Sequence, residues 1–220
     1  MTALRDPLPL VNHRAHLAQY LSQVTFSSVT VAGRIIEERR PLRHTGNPIR
    51  PALVLWACEA RNGDLADAVP VGAAFDLFDG FLALHEDLTR DSPTVARWGL
   101  GQSLNAGDAL YALAFRSLAA DVINPARRLD AARLVGDAVL EAIARDNDDA
   151  GRAAVLTGAA LQCGAVIGGA SDRVARAFWE AGTLLTSDPL SAAATIRRHA
   201  AAHSLTELED VVAYLAERVA

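Results

Sequence analysis

A cluster of charged side chains near the middle of the chain has the residue types and spacing best suited to chemistry. Its members are Asp79, His85, Glu86, Asp87, Arg90 and Asp91. Residues four apart share one face of a helix, so Asp87 and Asp91 point the same way, as do Glu86 and Arg90. Paired carboxylates one turn apart can hold Mg²⁺ while its other positions take phosphate oxygens and water. A solvent-exposed helix end with an ordinary Glu86–Arg90 ion pair explains the same spacing.

Two long apolar helical patterns, residues 71–90 and 93–122, meet at this cluster. Helical spacing of apolar residues also predicts helices at 14–40 (with a bend at 25–30), 51–61, 126–145, 152–168, 172–186, 190–203 and 206–219. Residues 41–50 contain two prolines and a glycine, which predicts a loop. The alternation typical of strands is nearly absent. The sequence therefore predicts an all-α, single-domain bundle of about nine helices over 14–220, after an extended arm at 1–13.

Composition narrows the class of protein. Hydrophobic residues make up 51% of the chain and aromatic residues 5%, so the predicted core consists mainly of Ala, Leu and Val. The net charge is −5 and no basic block occurs, which argues against a nucleic-acid partner. The longest apolar run, residues 157–170, is too short for a transmembrane segment. We expect a soluble, cytoplasmic protein with Cys58 and Cys163 as buried free thiols.

Several short segments occur in an order that matches one known family. They are Arg50-Pro51-Ala52-Leu53, Leu84-His85-Glu86-Asp87, the Pro-Thr segment SPTVARWG at 92–99, Asn105-Ala106-Gly107-Asp108-Ala109-Leu110, and residues 152–156 with Gly164-Ala165. Together they resemble the trans-isoprenyl diphosphate synthase (polyprenyl synthetase) family, a divergent member of it. The resemblance implies an isoprenoid-synthase-type helical bundle with a central apolar cavity, prenyl transfer, Mg²⁺ as cofactor, and dimers formed through long helices.

The resemblance also assigns roles to individual residues. The first two aspartates of the family's first aspartate-rich motif fall on Glu86 and Asp87, which become the candidate catalytic residues and metal ligands. The third falls on Arg90, with Asp91 beside it as a further candidate metal ligand. Arg50, Arg90 and Arg152 become the candidate diphosphate-binding residues.

This sequence departs from the family at several of these positions. The loop lysine of the family falls on Asn47, and an acceptor-binding histidine falls on Asp79. The second aspartate-rich motif, expected near 183–193, is missing, and Asp188 is the only acid there. Two facing carboxylate clusters with their metal ions stabilise the diphosphate leaving group in the family, and such preorganised electrostatics is usually the largest catalytic contribution. Standard condensation of an allylic diphosphate with isopentenyl diphosphate should therefore be impaired.

Residues just before the charged cluster are candidates to line the cavity. They are Phe78, Asp79, Phe81 and Leu82. In the family, bulky residues here set the floor for the growing chain, so the resemblance implies that any bound prenyl chain is short. Phe78 and Phe81 are equally well explained as core aromatics.

Three hypotheses for function follow. The first is a divergent prenyltransferase or isoprenyl-diphosphate-processing enzyme of isoprenoid biosynthesis, with Mg²⁺ required if it is active. The second is a non-catalytic partner subunit of an active prenyl synthase. For the chain in general we expect a homodimer or a heteromer with another prenyl synthase. The third is a binding protein for an isoprenoid or another apolar small molecule.

Overall fold

The computed structural model describes residues 8–24, 29–45, 49–90, 92–145, 148–185 and 187–201, and these form an all-α bundle. Its ten helices are α1 (Leu8–Gln23), α2 (Val31–Thr45), α3 (Ile49–Glu59), α4 (Leu65–Leu88), α5 (Pro93–Trp98), α6 (Leu100–Asp121), α7 (Pro125–Ala144), α8 (Asp149–Ile167), α9 (Asp172–Leu184) and α10 (Pro189–Arg197). No strand occurs in these ranges. The predicted all-α fold is confirmed, while the predicted helix at 206–219 lies outside the described residues.

Helix α4 runs through the centre of the bundle. It packs against α3, α6, α1 and α8, and it buries Phe75, Phe78 and Leu84 almost completely. Helix α8 forms the second layer and packs against α3, α7 and α9. Small residues let these helices approach closely. A Cβ atom at Gly164 of α8 would overlap the Val54 carbonyl oxygen of α3, and the low aromatic content of the sequence fits such close packing.

Local sequence signals set most helix boundaries. Asp64 accepts a hydrogen bond from the Ala66 backbone N–H and so caps α4, while Ser92 caps α5 through Thr94. Proline occupies the first turn of α5, α7 and α10, where its missing N–H has no helical partner to lose. Helix α4 therefore ends at Leu88 and α5 begins at Pro93, close to the break that the sequence predicts.

Four boundaries differ from the predictions. The predicted arm at 1–13 is wrong in part, because residues 8–13 already belong to α1. The predicted loop at 41–50 is also wrong in part, because α2 continues to Thr45 and α3 begins at Ile49. Helix α4 begins at Leu65 rather than residue 71, with Pro70 inside it. The predicted helix 93–122 is two helices, since Gly99 takes φ +81° and ends α5.

Two of the helices are long and apolar enough to cross a membrane by length and composition alone. They are α4 and α8, and 72% and 61% of their most apolar windows are buried inside the bundle. Buried core helices of a soluble bundle have this same composition, so we assign both helices to the core.

Cys58 and Cys163 are free and fully buried, as predicted. Burial raises the pKa of each thiol to about 12. Both thiols are therefore neutral core residues, without the thiolate that nucleophilic or redox chemistry requires.

Candidate functional site

Glu86 and Arg90 lie one turn apart at the end of α4 and bind each other. The Arg90 guanidinium is 2.6 Å from the Glu86 Oε1 atom. In the family's motif these two positions carry the two carboxylates that share one helix face. Here one of them is a guanidinium, so a cation of the chain itself lies against the remaining carboxylate. The predicted phosphate contact of Arg90 competes with this pair.

Asp87 points away from Glu86 and contacts a different helix. Its Oδ2 atom lies 2.7 Å from the guanidinium of Arg39 on α2, and both side chains are half-buried. Neighbouring residues on a helix are rotated by about 100°, which explains the divergence of Glu86 and Asp87. Glu86 and Asp87 therefore face separate arginines. Asp91 lies outside the described residues.

Asp79 and Arg50 form the most extensive ion pair of the site. Arg50 donates from Nε to Asp79 Oδ2 at 3.2 Å and from a terminal nitrogen to Oδ1 at 2.8 Å. This two-point geometry is the one by which arginine binds carboxylate or phosphate most strongly. The Arg50 N–H groups that, by the resemblance, would bind a diphosphate therefore donate to the Asp79 carboxylate instead.

Arg152, in the first turns of α8, is the least engaged of the predicted diphosphate-binding residues. Its ion pair with Asp149 is 3.5 Å long, and Asp149 is largely exposed. The Arg152 Nε atom is buried and has no hydrogen-bond partner in the described parts of the chain. Arg152 therefore keeps the capacity to bind an anion.

The described carboxylates do not fit a Mg²⁺ cluster. No group of three His, Cys, Asp or Glu side chains comes together within these residues, and the two acids of the motif each face a guanidinium. Asp188, the single acid where a second cluster is expected, caps α10 through the Ser191 backbone N–H. Hydrogen bonds from Ser191 lower the pKa of Asp188. The metal-binding roles of Glu86, Asp87 and Asp91 stay predictions.

The predicted cavity residues divide between two sides of α4. Phe78 and Phe81 are buried against α6, where their rings lie 5.4 Å from that of Tyr111, and Phe78 also meets Phe115 edge-on. Leu82 is partly buried against the same core, and Asp79 lies on the Arg50 side. The interpretation of the two phenylalanines as core aromatics holds, since edge-on aromatic pairs of this kind stabilise a core.

Sequence reasoning missed a contact that fixes the Pro-Thr segment on α2. Glu38 accepts hydrogen bonds from Arg97 at 2.5 Å and from the Trp98 indole N–H at 3.0 Å. The guanidinium groups of Arg34 and Arg97 both lie over the Trp98 ring. Glu38 and Arg39 are both on α2, about fifty to sixty residues from their partners, and no local spacing signals such a pairing. The adjacent charges at 37–40 were the only available signal.

The chain has recognisable relatives among characterised proteins. It is 36% identical over 152 residues to geranylgeranyl diphosphate synthase of Mycobacterium tuberculosis, covering 58% of this chain and 43% of that protein. It is 31% identical over 165 residues to geranylgeranyl diphosphate synthase of Methanosarcina mazei, covering 64% of this chain and 51% of that protein. The chain thus spans about half the length of the curated relatives it matches. No model of a protein family matches it.

Solved structures share the fold over most of the chain. A decaprenyl diphosphate synthase from Rhodobacter capsulatus aligns with a TM-score of 0.72 at 18% identity, covering 96% of this chain and 97% of that one. A heterotetrameric geranyl pyrophosphate synthase from mint aligns with a TM-score of 0.71 at 19% identity, covering 93% and 98%. Sequence relatives and shared fold agree with the motif order along the chain. The chain is therefore similar in sequence to isoprenyl diphosphate synthases (polyprenyl synthetases) over about half of their length, and it shares their fold.

Proposed function

We propose that this chain serves isoprenoid biosynthesis as a non-catalytic subunit of a prenyl diphosphate synthase, alongside a partner with a complete site. One observation carries the proposal. Glu86, Asp87 and Arg50, which would hold metal and diphosphate, are each ion-paired with another side chain of this protein.

These internal ion pairs oppose the chemistry of the family. A guanidinium beside a carboxylate cancels much of the attraction that the carboxylate would exert on Mg²⁺. Arg50 would have to leave the Asp79 carboxylate before it could bind a phosphate, and Asp79 would repel that phosphate. Preorganised electrostatics aimed at the leaving group is what accelerates such reactions, and here the preorganised groups are aimed at each other.

An apolar surface on α6 and α7 supports the subunit role. Leu104 and Tyr111 are exposed on one face of α6, and Leu129, Leu140 and Ile143 are exposed on one face of α7. The two faces meet where a Cβ atom at Gly136 would lie 3.9 Å from the Phe115 ring. Contiguous exposed apolar surface of this kind marks protein interfaces. The resemblance implies dimers through long helices, and the mint relative is named as heterotetrameric.

Co-expression with a motif-complete geranylgeranyl diphosphate synthase tests the proposal. The two chains should co-purify, and the chain alone should form no prenyl product from isopentenyl diphosphate and an allylic diphosphate with Mg²⁺. Turnover by the chain alone that is lost in both Glu86→Gln and Asp87→Asn would refute the non-catalytic role.

Paired surface variants locate the interface. Leu140→Glu places a charge on the exposed α7 face and should abolish co-purification, because burying an unpaired charge in an interface is strongly unfavourable. Leu190→Glu changes a similarly exposed leucine at the start of α10 and should leave the complex intact. If the two variants co-purified with the partner to the same extent, the α7 face would not be part of the interface.

A second candidate is a prenyltransferase with an altered diphosphate site. Arg152 favours it, because its buried Nε atom lacks a partner among the described residues and its ion pair is long. Product formed by the chain alone, and lost in Arg152→Gln, would support this candidate over the first.

A further inference from the structure

A cavity lies at the opposite end of α4 from the charged cluster. Its volume is about 710 Å³, within the range of small-molecule sites in proteins. Its walls come from α1, the first turns of α4 and the end of α6. A helix rises 1.5 Å per residue, so Ala66 in the cavity wall and Glu86 at the cluster lie about 30 Å apart. The cavity is therefore separate from the candidate diphosphate site.

One wall of the cavity is apolar and the other is polar. Leu65, Val69, Pro70 and Ala120 form the apolar wall. The polar wall carries His16, Gln19, Gln23, Tyr20 and Asp121. An apolar surface beside a few convergent polar groups is typical of sites for small amphipathic ligands.

The polar wall is organised by a hydrogen bond between two helices. The Tyr20 hydroxyl of α1 donates to the Asp121 Oδ2 atom of α6 at 2.5 Å. Burial, together with this hydrogen bond to Asp121, raises the pKa of Tyr20 to about 12, so the hydroxyl remains a donor at neutral pH. Arg116 also lies near Tyr20, yet no arginine forms an ion pair with Asp121 within the described ranges. Asp121 thus presents a carboxylate to the cavity without a cationic partner.

We propose that this cavity binds an apolar molecule whose head group, an amine or an alcohol, donates a hydrogen bond to the Asp121 carboxylate. The apolar wall would cover the body of the molecule, and each Å² removed from water contributes about 25 cal/mol. A diphosphate head should bind poorly, because the Asp121 carboxylate repels it and none of the described lining residues is an arginine. The proposal stands independently of the function proposed for the Glu86 site.

Calorimetric titration of the full chain with geranylamine, geraniol and geranyl diphosphate, without metal, tests the ligand class. The amine and the alcohol should bind and the diphosphate should not. Asp121→Asn removes the charge but keeps a hydrogen-bond acceptor. It should lower the affinity for geranylamine about tenfold and the affinity for geraniol less, as expected for loss of one charge-assisted hydrogen bond at a partly exposed site. An equal or absent effect on both ligands would overturn the role of Asp121.

A variant that fills the cavity tests whether the ligand binds there. Ala120→Trp should abolish binding of both ligands, whereas Ala119→Trp, at a neighbouring residue that is also exposed but does not line the cavity, should not. Circular dichroism establishes that both variants fold. Binding that survives Ala120→Trp would place the ligand elsewhere, for example near Phe78. Self-association lost in Ala120→Trp without any ligand binding would assign the cavity to a second copy of the chain and overturn the proposal.

Discussion

The arginine at position 90 determines which charged group lies beside Glu86 at the end of α4. Glu86 and the residue four places later share a face, and in the family both are acids. Arg90 instead forms a 2.6 Å ion pair with Glu86. The local Glu86–Arg90 pair could be predicted from the helical spacing, but the partners of Arg50 and Asp87 could not. Arg39 is far from Asp87 in sequence, and only the packing of α2 on the bundle brings the two together.

Arg90→Asp should place a second carboxylate on the Glu86 face of α4 and so give tighter Mg²⁺ binding than the parent chain shows. The reason is that an i,i+4 pair of carboxylates without a guanidinium between them can share one divalent ion. Titration calorimetry with Mg²⁺ measures the gain. Arg90→Gln is the matched control, because it removes the same guanidinium from Glu86 without adding a carboxylate, and it should not create Mg²⁺ binding. Equal Mg²⁺ binding in both variants would show that a carboxylate at position 90 is not needed.

The buried thiols predict how stability changes with pH. Folded Cys58 and Cys163 have pKa values of about 12, while an unfolded thiol ionises near pH 9. Above that pH the unfolded chain binds fewer protons than the folded chain, so the free energy of unfolding falls as pH rises. The slope should be about 1.4 kcal/mol per pH unit for each thiol between pH 9 and 12.

Denaturant titrations at pH 8, 9.5 and 10.5 measure this slope. The Cys58→Ala/Cys163→Ala double variant should lose the part of the slope that the thiols contribute. An identical pH dependence in parent and double variant would mean that other groups cause it.

At the scale of elements, sequence signals located the helices better than their ends. Prolines in first turns, such as Pro93 and Pro125, identify boundaries because their chemistry is local. The Asp64 cap was missed, so the start of α4 was predicted at residue 71 instead of Leu65. Gly99 was missed for a physical reason. A glycine inside a helical pattern can continue the helix, as Gly107 does, or adopt φ +81° and end it, as Gly99 does. Packing of α5 on α2 through Trp98 and Glu38 decides between these outcomes, and no local pattern encodes it.

Gly164→Ala should destabilise the contact between α8 and α3. The added methyl group would overlap the Val54 carbonyl oxygen and lie 2.8 Å from the Ala57 Cβ atom, and backbone cannot move aside cheaply. The expected loss is about 1–3 kcal/mol of unfolding free energy, the usual cost of overpacking a core. Denaturant titration measures it.

Gly101→Ala is the control on α6, where nothing lies within 4 Å of an added Cβ atom. It should be neutral or raise stability by up to about 1 kcal/mol, because alanine is the better helix former. Equal losses in both variants would contradict the close approach of α8 and α3.

At the scale of the whole molecule, the chain keeps the family's bundle and changes its charged end. The core around α4 and α8 depends on the apolar pattern and on small residues, both of which were readable from sequence. The site also depends on the pairing of Arg39 with Asp87 and of Arg50 with Asp79, which joins distant parts of the chain and was not readable from sequence. The bundle is therefore shared with the relatives, while charged groups at the end of α4 are paired with each other and an apolar face on α6 and α7 is exposed.

The measurement that tests the central claim most directly is calorimetric titration of the isolated chain with farnesyl diphosphate, with and without Mg²⁺. Internal ion pairing of Glu86, Asp87 and Arg50 predicts no Mg²⁺-dependent binding of the diphosphate. Saturable binding that requires Mg²⁺, and that disappears in Glu86→Gln and Asp87→Asn, would contradict it.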